Sequence, residues 1–286
     1  MKQRSKKPVI VACFIAAALA ALTLWVIWAN TALEINTYTI KSEKIPAQFS
    51  GFRIAQVSDL HNAEMGKDNE KLLSLLAGAE PDIIAITGDI MDTDGERDGA
   101  YSFIDGAVKI APCYFVTGNH EAGILEASFK ELEGYMKEKG VAVLHSEEVL
   151  IERDGTYISV AGFEDPAYSM KYSGLNVSDL DGEYIKSVVN GDLYSVLLSH
   201  RPELFSEYVE AGCDLVLTGH AHGGQFRLPF IGGVIAPGQG VFPKYDNGVY
   251  AEGATNMVVS RGIGNSIIPL RFNNRPEIVL VELEAE

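Results

Sequence analysis

Phe52-Arg53-Ile54-Ala55-Gln56-Val57-Ser58-Asp59-Leu60-His61 and Asp82-Ile83-Ile84-Ala85-Ile86-Thr87-Gly88-Asp89-Ile90-Met91-Asp92 are built alike. In each, a short apolar, β-branched run leads straight into a carboxylate, with a second polar side chain two or three residues on. Such runs predict strands, here residues 52–57 and 82–87. Amphipathic stretches predict helices at 69–76, 101–108 and 125–139, with a strand at 113–116 among them. This βα alternation leaves reactive residues at strand ends, where the crevices of open α/β sheets collect ligands. Beyond residue 140 the pattern changes to closely spaced strands at 141–144, 148–152 and 157–162, with Gly155 turning a hairpin. Strands at 194–198 and 215–218 bracket a helix near 203–211, and short strands return at 248–250, 257–260 and 278–282. The expected fold is α/β (α+β), a mixed sheet facing a second sheet with helices outside, in one domain over residues 51–286. No internal repeat or low-complexity tract divides it. Residues 164–192, rich in Asp, Gly, Tyr and Ser, read as an insertion or lid.

The chain has 286 residues, nearly half of them apolar, which is ample for one large core. Its net charge is −16; the first 28 residues hold four of the 23 Lys and Arg and none of the 39 acids, so the remainder carries −20. An acidic body disfavours binding to a nucleic-acid polymer, which depends on clustered basic residues. Lys2, Arg4, Lys6 and Lys7 form a basic tail, residues 1–7, ahead of an uncharged run from 8 to 32 with Trp25 and Trp28 near its far end. Residues 8–28 suffice to cross about 30 Å of hydrocarbon as a helix. The basic flank predicts a cytoplasmic N-terminus and a single-pass anchor in the cell membrane, with the following domain extracytoplasmic. A cleaved signal peptide is the alternative, less well matched by so long an apolar run without a clean A-x-A site. Residues 29–50 read as a stalk with one strand near 38–41. Cys113 and Cys213 read as buried small hydrophobes rather than a disulfide.

Five segments end a predicted strand with a potential ligand. They are Asp59-Leu60-His61, Gly88-Asp89-Ile90-Met91-Asp92, Gly118-Asn119-His120-Glu121, Ser199-His200-Arg201 and Gly219-His220-Ala221-His222-Gly223-Gly224-Gln225. Singly, each has a structural explanation. Jointly they hold five of the six histidines, with His145 alone outside. Glycines before the ligands let the chain turn sharply into one crevice. Carboxylate and imidazole without thiolate suit Mn, Fe or Zn, and the joint pattern predicts a dinuclear metal site.

In this order, D-x-H, G-D-x-x-D, G-N-H-E, a lone His and G-H-x-H resemble the signature of the calcineurin-like metallophosphoesterases, over roughly residues 52–225. The G-H-A-H-G-G-Q ending, Ser260-Arg261-Gly262 and the anchor resemble the bacterial membrane-associated branch related to the YkuE and YaeI phosphoesterases. The resemblance implies a four-layer sandwich of two mixed β-sheets flanked by helices, of the metallo-dependent phosphatase type, and two divalent metal ions. It implies that Asp59, His61, Asp89 and His222 hold one metal, and Asp89, Asn119, His200 and His220 the other. A bridging Asp89 is physically sensible, since a shared carboxylate keeps two cations about 3.5–4 Å apart. His120, beside a ligand, is placed to protonate a leaving oxygen or stabilise charge. Glu121 and Asp92 read as acids orienting ligands, and Arg201 and Arg227 as partners for a substrate phosphate or for a surface carboxylate.

The function expected is two-metal hydrolysis of a phosphomonoester, phosphodiester or pyrophosphate, with a phosphorylated small molecule or a lipid-linked, membrane-proximal substrate. The alternatives are a soluble nucleotide phosphohydrolase or phosphodiesterase, and a non-catalytic, metal-stabilised cell-surface scaffold. A metallo-β-lactamase-like hydrolase is excluded by the lack of an H-x-H-x-D-H run. The apolar stretch 228–241 is expected to pack inward as a hairpin; facing outward, it would meet lipid.

Overall fold

The computed structural model describes residues 7–92, 97–176, 179–265 and 268–286. Lys2, Arg4 and Lys6 of the basic tail lie outside them. Helix α1 (Lys7–Thr31) precedes strand β1 (Glu34–Ser42), and the first half continues with β2 (Arg53–Val57), α2 (Glu70–Gly78), β3 (Ile83–Thr87) and α3 (Asp98–Ala107). Next come β4 (Cys113–Val116), α4 (Asn119–Gly123), α5 (Glu126–Lys139) and β5 (Ala142–Val143). The second half runs through β6 (Glu148–Arg153), β7 (Thr156–Gly162), α6 (Pro166–Tyr168), α7 (Gly182–Val188), β8 (Ser195–Leu198), α8 (Phe205–Ala211) and β9 (Leu215–Thr218). Four two-residue strands follow, β10 (Arg227–Leu228), β11 (Gly232–Gly233), β12 (Ile235–Ala236) and β13 (Gly240–Val241), and then β14 (Gly248–Glu252), β15 (Thr255–Val259) and β16 (Glu277–Ala285).

Two six-stranded mixed sheets result, ordered β1-β16-β2-β3-β4-β5 and β14-β15-β9-β8-β7-β6. Their strands are apolar on both faces because each face meets a different layer, and period-two alternation divides the side chains between them. Ile54, Ile83 and Ala85 of the first sheet point into the layer shared with Val196, Leu198, Leu215 and Leu217 of the second. Their neighbours Ala55, Ile84 and Ile86 point the other way, onto Leu72, Leu76, Phe103 and Phe129 of α2, α3 and α5. On the far side, Leu197, Val216 and Met257 pack on Ile185, Phe205 and Tyr208 of α7 and α8. The order helix, sheet, sheet, helix is the four-layer sandwich expected. Cys113 and Cys213 are free and buried.

The stretch expected to be a stalk is part of this body. β1 runs parallel to β16 in continuous register from Glu34 opposite Glu277 to Ser42 opposite Ala285, and Ile40, Ile45 and Phe49 are buried between the sheets. Without β1, the long strand β16 would be an open edge, which proteins avoid. The presumed lid is also anchored. Leu180, Ile185 and Val188 belong to the core, and Lys171 donates to the carbonyls of Ala122 and Ile124, tying the segment to α4 and the residue after it.

His145 sits away from the strand-end histidines, between Glu164 Oε1 at 2.6 Å and Glu133 Oε1 at 2.9 Å. The bond to Glu164 and then that to Glu133 raise its pKa above the ordinary value, against the opposing effect of burial. A raised folded pKa contributes stability fully below the unfolded value of about 6.5, and loses it as pH rises through the folded value. The stability gap between wild type and His145→Gln, measured by urea unfolding across pH, is therefore expected to be widest in mild acid and to narrow upward. A gap independent of pH would show that no proton is linked to this contact.

Candidate metal centre

All five ligand-bearing segments leave the C-terminal ends of β2, β3, β4, β8 and β9, which are parallel within each sheet. The backbone there is forced into the left-handed region: Asp59, His61, Asp89, His220 and His222 all have φ between 47° and 62°. Such residues are uncommon outside glycine and mark places where surrounding structure imposes the geometry. Close approach makes two glycines irreplaceable. A Cβ on Gly118 would fall 2.2 Å from Asp89 Oδ1, and one on Gly219 would fall 1.9 Å from Ser58 Oγ and 2.3 Å from Asp59 Oδ2. Beneath the loops, the buried amide of Gln56 donates to Thr87 Oγ1 and, across to the other sheet, to the carbonyl of Thr218, at 2.9 and 2.8 Å.

The side chains converge in two overlapping groups. His61 Nε2 and His222 Nε2 lie 3.1 Å apart, and His222 Nε2 is 3.4 Å from Asp59 Oδ1. His200 Nε2 lies 3.1 Å from Asp89 Oδ2 and 3.2 Å from His220 Nδ1. Asp89 Oδ2 is also 3.7 Å from His61 Nε2, so this one oxygen faces both groups. His200 Nδ1 is 2.8 Å from the Thr87 carbonyl; donating there leaves Nε2 to face Asp89. Asn119 Oδ1 is buried without a hydrogen-bond partner, and buried polar atoms are rarely left so. Ring nitrogens aimed at one another, acid oxygens between them and an orphaned amide oxygen suit a hard or borderline cation. These residues therefore fit divalent metal.

Electrostatics supports the same conclusion. Asp59 and Asp89 are fully buried. Burial raises the Asp59 pKa and the charge of Asp89 adds to it, while Asp89 itself is held well below the carboxylate range, burial being outweighed by His200 and then His61. His200 is buried too, yet Asp89 and then Asp59 keep its pKa up at about 10. His61 is raised by Asp92 and Asp89 against burial, whereas burial and neighbouring cations push His220 and His222 well below the imidazole range. The buried acids thus draw positive charge onto His200 and His61, the demand a bound cation would meet.

Glu121 is wholly buried and does not orient a His or Asn side chain as expected. Its carboxylate accepts from the backbone N–H groups of Asp89, Ile90 and Gly118 at 2.7–2.9 Å, fixing the β3 loop to the β4 loop. Burial and then Asp89 raise its pKa to about 7. Asp92 contacts both His120 Nδ1 and, at 3.4 Å, His61 Nδ1. His120 stands at the mouth, its side chain 23% exposed and its Nε2 3.9 Å from Asp89 Oδ2. Of the two readings for Arg201 and Arg227, the structure shows the carboxylate partner. Arg201 forks onto Asp165 at 2.6 and 3.1 Å, and Arg227 spans Asp246 and the Gly223 carbonyl.

Sequence reasoning missed Arg271, whose guanidinium is fully buried. It donates to the carbonyls of Arg261 and Gly264 and lies 3.5 Å from His222 Nδ1. Asn274 beside it donates to the carbonyls of His222 and Gln225 at 2.7 and 3.1 Å. The only local signal was an arginine set in the apolar Pro269-Leu270-Arg271-Phe272 run.

A cluster of acids and imidazoles shared by the strand ends of two packed sheets defines the class as a candidate metalloprotein. The calcineurin-like phosphoesterase profile matches residues 52–224, and the chain belongs to that family. The metallophosphoesterase YkuE of Bacillus subtilis is 33% identical over 262 residues, covering 88% of this chain and 86% of YkuE. The phosphodiesterase YaeI of Escherichia coli is 27% identical over 241 residues, with 81% and 82% covered. A Danio rerio transmembrane protein with a metallophosphoesterase domain is 28% identical over 261 residues, covering 86% of this chain and 56% of the fish protein. The protein is thus a metal-dependent phosphoesterase.

Since metal must displace the proton that Asp89 holds on His200, Mn binding is expected to release about one proton at roughly pH 8, and to weaken as pH falls. Calorimetry in two buffers of different ionisation enthalpy reads this directly. Identical heats in both would mean that the metal-free site carries no such proton.

Proposed function

We propose that the protein hydrolyses a phosphoester carried by a lipid, or otherwise held at the membrane surface, using two divalent cations drawn from Mn, Fe or Zn. Asp59, His61, Asp89 and His222 would hold one cation, and Asp89, Asn119, His200 and His220 the other. The observation that carries this is the single Asp89 oxygen facing both groups of ligand atoms. Bound there, the cations supply charge that neutralises phosphoryl oxygens and acidifies water at neutral pH. Asp92 keeps a carboxylate on His120 Nδ1, which leaves Nε2 on the side of Asp89 to pass a proton to the leaving oxygen. Glu121 holds the Asp89 loop against the repulsion between buried acids.

The membrane half of the proposal rests on α1. Its segment Ile10–Thr31 is long and apolar enough to cross a bilayer, and most of it stands clear of the domain. A signal sequence passes the same test, but the end of this helix is built into the domain. Ala29 is buried, Asn30 exchanges two hydrogen bonds with the backbone of Arg271 at 2.8 and 2.9 Å, and the Arg275 guanidinium covers Trp28. These contacts favour an anchor that stays attached, with the domain beginning two residues after it at β1. The transmembrane character of the Danio rerio relative supports the same reading. A basic N-terminal flank favours a cytoplasmic N-terminus and an extracytoplasmic domain.

Two measurements test the proposal. His120→Ala is expected to lower turnover of an aryl phosphoester by roughly 10²–10⁴-fold while metal content is kept; loss of metal in step with activity would make His120 a ligand. Removing residues 1–28 is expected to reduce hydrolysis of a vesicle-embedded lipid phosphoester far more than that of its soluble analogue, since tethering raises the effective concentration of surface-bound substrate. Equal reductions would favour a soluble nucleotide or similar substrate.

A further inference from the structure

The stretch expected to pack inward after the last metal-bearing loop does the opposite. Residues 226–243 form two small hairpins, β10 with β11 and β12 with β13. Phe230 is fully exposed, and Ile231, Val241 and Phe242 each expose more than half their surface. Phe230 and Phe242 are held there at positive φ, 68° and 56°, an unfavourable backbone state for bulky residues that calls for a reason. Ile268 and Leu270, both partly exposed, extend the patch.

Its position says what covers it. Leu270 adjoins Arg271, whose backbone is clamped by Asn30 at the end of α1, so the apolar helix leaves the domain at the edge of the patch. An exposed apolar tip beside the exit of an apolar helix suits the hydrocarbon of a bilayer. The patch also leads to the chemistry. A cleft of about 360 Å³ runs between it and the metal centre, lined by His222, Gln225, Ile235, Pro237, Gly240 and Ile268.

Building on the membrane-surface reading above, we infer that the 226–243 hairpins with Ile268 and Leu270 dip into the leaflet from which α1 emerges, and that the cleft beside His222 receives an acyl chain of a lipid-linked phosphoester. The headgroup phosphate would then reach the strand-end ligands without the lipid leaving the bilayer. Depth of insertion and chain selection are separate properties of one surface, and each has its own readout.

The full chain, Cys13→Ser, carries either Phe230→Cys or Tyr157→Cys, labelled with an environment-sensitive fluorophore in phosphatidylglycerol–phosphatidylcholine vesicles. Tyr157 is exposed at the opposite end of the strands, and Cys113 and Cys213 are buried. The label at 230 is expected to be quenched by doxyl lipids and shielded from iodide, with the reverse at 157. Iodide quenching at both sites overturns the insertion. In the second arm, Ile268→Trp fills the cleft, and kcat/KM is compared for dioleoyl and dihexanoyl forms of phosphatidic acid and phosphatidylglycerol. The long-to-short ratio is expected to fall roughly tenfold or more, the discrimination that apolar contacts in a pocket provide. An unchanged ratio overturns the acyl assignment even if the label reports lipid. Failure to turn over any lipid phosphoester, with soluble aryl phosphoesters still hydrolysed, defeats the lipid-substrate reading itself, while the fluorescence still decides insertion.

Discussion

Two carboxylates, Asp59 and Asp89, are buried together at the meeting point of the two sheets. Ionised acids in a low-dielectric interior are costly unless cations accompany them. The surrounding structure answers that demand. Histidines on loops from both sheets face the acid oxygens, the backbone N–H of His120 donates to Asp89, that of His220 to Asp59, and Glu121 pins the Asp89 loop from below. Asp89 and then Asp59 keep the pKa of buried His200 at about 10, and Asp92 and then Asp89 raise that of His61. Metal affinity, loop strain and the acid–base behaviour of the site are thus consequences of one electrostatic requirement.

Such a site demands precision that loops alone cannot supply. Each proposed ligand lies two to four residues beyond a buried strand, and the strands are locked by alternate side chains packing into separate layers. The Gln56 amide fastens β2 and β3 of one sheet to the end of β9 in the other. Rigid strands set the positions of the ligands, and short left-handed turns set their directions. The glycines at 118 and 219 are required because acid side chains occupy the space a Cβ would take.

Arg271 joins this centre to the N-terminal helix. Its backbone receives Asn30, its guanidinium braces the 261–264 turn, and its tip reaches His222. A buried arginine without a directly bonded carboxylate is uncommon. Burial lowers its pKa to about 10, and carbonyl oxygens satisfy its donors. Anything that shifts the end of α1 is therefore felt two contacts away at a residue of the metal cluster. Through Arg261, the same region also links to Glu277 and Glu34 on the paired strands β16 and β1, so the helix exit, the sheet edge and the cluster form one continuous polar network.

The sequence by itself determined the strand ends, the residue types placed there and the apolar N-terminal run. These depend on short periods and on chemistry within a few residues. Gly88-Asp89, Gly118-Asn119 and Gly219-His220 are legible because a turn residue and a candidate ligand must be adjacent to act together. Tertiary structure alone decided that Glu34–Ser42 closes the first sheet instead of serving as a stalk, since its partner, β16, lies more than 240 residues away and pairing leaves no local trace. It alone turned Arg201 and Arg227 toward Asp165 and Asp246, buried Arg271 beside His222, and faced Phe230 and Phe242 outward. A short apolar run reads the same whether its neighbours in space are core or solvent; only the packing of distant elements settles which face is already occupied.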